Sequence, residues 1–109
     1  MHGSQHGYTN IDADQLEFLR RRQPILLVDI RSEAEVAQAR IEGAVHIPMH
    51  LLPFRLNDLG HEHPVVLYCR SGARSAQASA FLAQQGMANI HNLVGGIMDW
   101  ARSGKQLAA

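Results

Sequence analysis

Short apolar runs alternate along this chain with segments whose apolar residues fall at helical spacing. Ile25 to Val28 and Val65 to Tyr68 are unbroken apolar stretches, the signature of strands buried on both faces, and Ile90 to Val94 offers a last strand. A shorter strand is predicted at Val45 to Ile47, after Gly43 and before Pro48. Between these runs lie helix signals. Asp12 with Gln15 and Ser32 with Glu35 have capping-box spacing, and Leu16 and Leu19 continue the first helix. Arg20, Arg21 and Arg22 fall in its last turn, where positive charge suits the helix dipole, and Pro24 stops it. Further helices are predicted over Leu51 to Leu59, ended by Gly60 as a left-handed cap, and over Ser75 to Gln85, ended by Gly86. After a tight Gly95-Gly96 turn, a final helix covers Ile97 to Ala101. Strands alternating with helices predict an α/β domain on a mainly parallel sheet, whose ligands bind at the carboxyl ends of the strands.

Composition narrows the function classes. The 109 residues suffice for one domain, 46% of them are apolar and 18% charged, as in a folded soluble protein. Ten basic and ten acidic side chains cancel, so nothing points to a nucleic-acid or acidic-membrane partner. No apolar run reaches the roughly 20 residues of a membrane span. The polar first residues lack the apolar stretch of a secretory signal, and the expected location is cytoplasmic. The lone cysteine has no partner for an internal disulfide, which leaves its reactivity as the property to explain.

That cysteine, Cys69, follows the strand Val65 to Tyr68 directly and opens the segment Cys69-Arg70-Ser71-Gly72-Ala73-Arg74-Ser75 before a helix. Unpaired N–H groups and the dipole at a helix start favour thiolate over thiol. A curled loop eased by Gly72 gathers further N–H groups, and Arg70 and Arg74 add positive charge. An ordinary buried cysteine is a small hydrophobe, but an apolar packing site would not collect two arginines, two serines and a glycine. The segment therefore predicts a reactive thiolate.

The segment resembles the active-site loop of rhodanese domains, and the likeness extends from about Tyr8 to Lys105. Leu27 to Arg31 resembles the family's strand-end Asp-x-Arg motif, with Glu35 at its acidic position. Ile41 to Pro48 resembles its Ile-x-Gly-Ala stretch, and Leu93 to Gly96 followed by Trp100 its closing motif. Ala39-Arg40 stands where members often have Gly-His, a departure remote from the loop. The resemblance implies a rhodanese-like α/β fold, a central, mainly parallel sheet flanked by helices on both faces, over residues 8–105, with tails at 1–7 and 106–109. It implies that Cys69 takes a sulfane sulfur from a small anionic donor such as thiosulfate. The resulting persulfide would pass sulfur to a thiol, to cyanide or to an acceptor protein, with no cofactor. Arg70, Ser71, Gly72, Ala73, Arg74 and Ser75 would bind the donor, with Asp29 and Arg31 as supporting residues.

Other readings compete. Asp29 lies where a site belongs, but a carboxylate there commonly satisfies local backbone donors. The seven histidines invite a metal site, yet Pro48 separates His46 from His50, and only Glu62 separates His61 from His63, so no metal is expected. Met49, Met87 and Met98 read as core fillers and Trp100 as a packing anchor. Cysteine phosphatases and arsenate reductases also use a strand, loop and helix, but their loop holds one residue more between cysteine and arginine. A catalytically silent rhodanese module typically lacks the cysteine.

Overall fold

The two most apolar runs form neighbouring strands at the middle of the molecule. The computed structural model describes residues 4, 5 and 7–109. Its strands are β1 (Ser4–Gln5), β2 (Tyr8–Ile11), β3 (Leu26–Asp29), β4 (Arg40–Ile41), β5 (Val45–His46), β6 (Val65–Tyr68), β7 (Ile90–Leu93) and β8 (Leu107–Ala108). Among the described residues, six of them build the main sheet in the order β1-β2-β7-β6-β3-β5. All its pairings are parallel except that of β1 with β2. Register matters for function. Asp29 stands opposite Tyr68 and also opposite His46, so β3, β5 and β6 end side by side. The segments following them are thereby gathered at one edge.

Helices α1 (Ala13–Arg22), α2 (Glu33–Gln38), α3 (Leu56–Leu59), α4 (Ala73–Gln84) and α5 (Gly96–Arg102) surround the sheet. Alternation along β6 divides the core. Val65, Leu67 and Cys69 join Leu82 and Ala78 of α4 and Leu52 and Leu59 on one face. Val66 and Tyr68 join Leu16 of α1 and Ile97 and Trp100 of α5 on the other. Each fully buried aliphatic side chain contributes about 1.5–3 kcal/mol, so β6 anchors both layers. Helices therefore cover both faces of a mainly parallel sheet.

Both capping boxes form. Gln15 N donates to Asp12 Oδ1 at 2.8 Å, and Glu35 N to Ser32 Oγ at 3.2 Å. The helix expected over Leu51 to Leu59 is instead a 3-10 helix (Met49–Phe54) followed by the short α3. Pro53 is the cause: it lacks an N–H and disfavours helical backbone at the residue before it. Gly60 ends α3 at φ 70°, ψ 173°, an extended glycine conformation rather than the expected left-handed cap. Arg20 is more than a solvated helix end, since its Nη1 donates to Glu42 O at 2.7 Å and its guanidinium lies 5.4 Å above the Trp100 ring.

The ends of the chain also differ from simple tails. Ser4–Gln5 pairs with β2, while residues 1–3 and 6 of the expected 1–7 tail lie outside the described residues. At the other end β8 pairs antiparallel with β4, and Trp100 Nε1 donates to Gln106 O at 2.9 Å. Residues 106–108 are thus tied to the domain, because the indole N–H and the exposed edge of β4 both need acceptors and donors.

Candidate active site

Cys69 sits where β6 gives way to α4, its side chain only 1% exposed at the floor of the loop. The chain turns at Gly72, whose φ of 105° is left-handed. A Cβ there would lie 3.1 Å from the backbone nitrogen of Gly95, so both conformation and space favour glycine. The turn brings Gly72 N–H to 3.1 Å and Ser75 N–H to 3.4 Å from Cys69 Sγ, with Ser75 Oγ at 3.4 Å. Burial pushes the thiol pKa up. Hydrogen bonds from the Ser75 hydroxyl and the N–H groups of Ser75, Gly72 and Ser71 outweigh it, leaving the thiol below its ordinary value. The sulfur therefore sits as an acceptor among donors, the environment of a stabilised thiolate.

The loop is backed by α5. Ile97 N donates to Cys69 O at 3.0 Å and Met98 N to Arg70 O at 3.1 Å. Those two carbonyls are thus engaged behind the loop. Gly96 permits the approach, because a Cβ at that position would lie 2.5 Å from both the Cys69 and Arg70 carbonyl oxygens.

The loop's side chains divide by exposure. Arg70, Ser71 and Ala73 are exposed, Gly72 and Arg74 half-buried, and Ser75 buried. Arg70 makes no ion pair among the described residues. Arg74 is committed elsewhere: Nη1 and Nη2 donate to Glu35 Oε1 and Oε2, each at 3.0 Å. The Arg74 guanidinium lowers the Glu35 carboxyl to about 2, against opposing burial, with help from Ser32.

Asp29 and Arg31 lie at the end of β3: the Asp29 carboxylate meets Tyr68 of the layer opposite the sulfur, while Arg31 also lines, with Arg74, the groove beside the loop. The buried Asp29 carboxylate accepts from Arg31 N at 3.0 Å, Arg31 Nε at 3.0 Å, Arg31 Nη2 at 2.8 Å and Tyr68 Oη at 2.6 Å. Tyr68 Oη in turn accepts from Ile41 N at 3.0 Å, and Arg31 Nη2 also donates to Ala39 O at 2.6 Å. This network ties the ends of β3 and β6 to β4. Burial and the Asp29 hydrogen bond push the Tyr68 phenol well above its ordinary value, so it stays a donor.

His46 Nε2 meets Arg31 O at 2.7 Å, and no group of three or more His, Cys, Asp or Glu side chains that could hold a metal occurs among the described residues. Beside the loop runs a groove of about 550 Å³ whose lining includes Ile30, Ser32, Pro48, Met49, Leu51 and Arg74. The Ser75 hydroxyl, the Glu35 carboxylate at Arg74 and the backing role of Gly96 go beyond the sequence reading. Their only sequence signals were membership of the loop, a capping box and a glycine pair.

The rhodanese-like domain model matches residues 12–103. The chain belongs to the rhodanese-like domain family. Within it, a sulfurtransferase of Allochromatium vinosum is 49% identical over 100 residues, 91% of this chain and 94% of that one. A thiosulfate sulfurtransferase of Glaesserella parasuis is 28% identical over 96 residues, 88% of this chain and 89% of that one. A rhodanese-related protein of Thermoplasma volcanium has a similar solved structure, with a TM-score of 0.83 and 28% identity over 91% of this chain and 96% of that one. This rhodanese-like domain contains no helix, among its described residues, that is long and apolar enough to cross a membrane.

Proposed function

We propose that this rhodanese-like domain is a sulfurtransferase that carries sulfane sulfur on Cys69. The carrying observation is the buried Sγ with two backbone N–H groups at 3.1 and 3.4 Å and the Ser75 hydroxyl at 3.4 Å. The thiolate attacks the outer sulfur of thiosulfate or a similar donor. The donor's S–S bond breaks as the Cys69 persulfide forms, and sulfite leaves with the bonding electrons. The terminal sulfur then stands about 2 Å beyond Sγ, nearer the mouth of the loop. There the N–H groups of Arg70 through Ser75 meet its charge, and Arg70 offers its free guanidinium to the incoming anion. A thiophilic acceptor, a thiol or cyanide, takes the terminal sulfur and returns the thiolate. One difficult transfer is split into two easier ones. The names of the relatives support sulfur transfer, and the loop geometry supports the covalent route.

Intact-mass measurement after incubation with thiosulfate tests the reading. The expected result is the added mass of one sulfur atom, removed by cyanide with formation of thiocyanate, and lost altogether in Cys69→Ser. An adduct that persists in the serine variant, or none in the wild type with any sulfane donor, would overturn it.

A further inference from the structure

Arg74 and Glu35 are 39 positions apart in sequence, yet both ends of the guanidinium fork meet both carboxylate oxygens at 3.0 Å. Ser32 also holds the carboxylate, its N and Oγ lying 3.1 and 3.2 Å from Oε1, the oxygen that accepts from Arg74 Nη1. This arrangement fixes Arg74 in a bidentate pair whose members sum to zero charge. With its carboxyl lowered to about 2, Glu35 stays ionised throughout the neutral range and the pair does not open by titration. Of the loop's two guanidinium groups, only that of exposed Arg70 is without an ion pair among the described residues, while Arg74 carries a carboxylate against it. It must also approach a thiolate of its own sign.

We propose that Glu35 is a specificity-determining residue that, by neutralising Arg74, favours sulfane donors with one negative charge, such as organic thiosulfonates, over the thiosulfate dianion. This deepens the sulfur-transfer reading and rests on it. The chemistry is matched in the two donors. With a thiosulfonate, the Cys69 thiolate attacks the outer sulfur, the donor S–S bond breaks, and sulfinate leaves with the electron pair. Cysteine sulfur is oxidised to the persulfide level, the sulfonyl sulfur is reduced to sulfinate, and no proton moves. Only the leaving group's charge differs, sulfinate against sulfite.

The test compares kcat/KM for benzenethiosulfonate and for thiosulfate, with cyanide as acceptor, in the full-length wild type, Glu35→Gln, Arg74→Gln and the double variant. Glutamine preserves the capping-box role of Glu35. Glu35→Gln should raise the thiosulfate-to-thiosulfonate ratio about tenfold, the effect of one unscreened charge at a partly exposed site. Arg74→Gln should lower it by a similar factor. The double variant, neutral again, should return to within about twofold of the wild type. If Glu35→Gln does not fold, Arg74→Gln alone still decides, through the fall in the ratio. A ratio unmoved by either single change, or a double variant that tracks Arg74→Gln, would overturn the proposal while leaving sulfur transfer intact. Absence of a Cys69 persulfide from both donors would instead remove the sulfur-transfer reading, and this proposal with it.

Discussion

The amide of Ile97 donates to the carbonyl oxygen of Cys69 at 3.0 Å, so the helix after β7 holds the reactive residue from behind. The contact depends on Gly96, at φ 58°, whose missing Cβ would lie 2.5 Å from that same oxygen. Gly96→Ala must move backbone, not the flexible end of a side chain. The left-handed conformation alone costs an alanine roughly 1–2 kcal/mol. With the clash added, a loss of about 2–4 kcal/mol is expected in urea unfolding. Persulfide formation in the folded fraction should fall on the order of 100-fold, since a displacement of about 1 Å has that effect on reacting groups. Wild-type stability and rate in this variant would show that α5 does not set the loop.

Ser75 supplies two of the groups that hold the Cys69 thiol below its ordinary pKa. Ser75→Ala removes the hydroxyl and leaves the N–H. Iodoacetamide alkylation followed against pH should show the midpoint moving up, and by more than in Arg70→Ala, because the hydroxyl touches the sulfur at 3.4 Å. The pH dependence of stability has a definite sign. A thiol lowered in the folded state binds fewer protons there than in the unfolded chain, so its stabilisation is fully present above the unfolded thiol value. It is lost as pH falls through the folded value. The wild type should therefore gain stability relative to Cys69→Ala as pH rises through that window. A flat difference would show that the loop does not favour the thiolate.

The parts of this fold legible in sequence are those carried by local pattern. The apolar runs of β3 and β6 and the two capping boxes needed no partner to be recognised. Strand β2 escaped because Asn10 interrupts it. Asn10 is tolerated in the sheet because its Oδ1 accepts from Asn92 Nδ2 at 3.1 Å, on a neighbouring strand 82 positions away. The two-residue strands β4 and β8 carry no periodicity to read. Cys69 was recognisable from its neighbours in the chain, whereas the pairing of Arg74 with Glu35 is a product of the tertiary fold. The charge of Arg74 is legible in the loop's own sequence, its counter-ion only in the fold.

Arg31 is 5% exposed, and Asp29 is its only ion-pair partner among the described residues. Asp29→Asn would leave a buried guanidinium without a counter-charge and weaken the bond from Tyr68 Oη. Breaking a buried pair in this way costs about 3–5 kcal/mol. The loss should appear as a lower urea midpoint. Alkylation of Cys69 in the folded fraction should keep its wild-type midpoint, because Asp29 and Tyr68 face the layer opposite the sulfur. A shifted thiol midpoint with unchanged stability would make Asp29 part of the sulfur site rather than of its foundation.

The spacing from Cys69 to Arg74 distinguishes sulfur transfer from phosphate transfer. Four residues separate them, one fewer than in the phosphatase loop that this segment partly resembles. In the folded loop the N–H groups of Gly72 and Ser75 already lie 3.1 and 3.4 Å from Sγ, which leaves a narrow ring above the sulfur. A single terminal sulfur can occupy that ring. A tetrahedral phosphoryl group needs more donors at greater spread, with the arginine turned inward, whereas Arg74 is turned to Glu35. Hydrolysis of p-nitrophenyl phosphate should therefore stay at the Cys69→Ser background while thiosulfate yields a persulfide. Inserting one glycine between Gly72 and Ala73 should widen the ring, reduce sulfur transfer by an order of magnitude or more, and raise protection of the thiol by arsenate. Cys69-dependent phosphoester hydrolysis by the wild type, without persulfide formation, would assign the loop to phosphate chemistry instead.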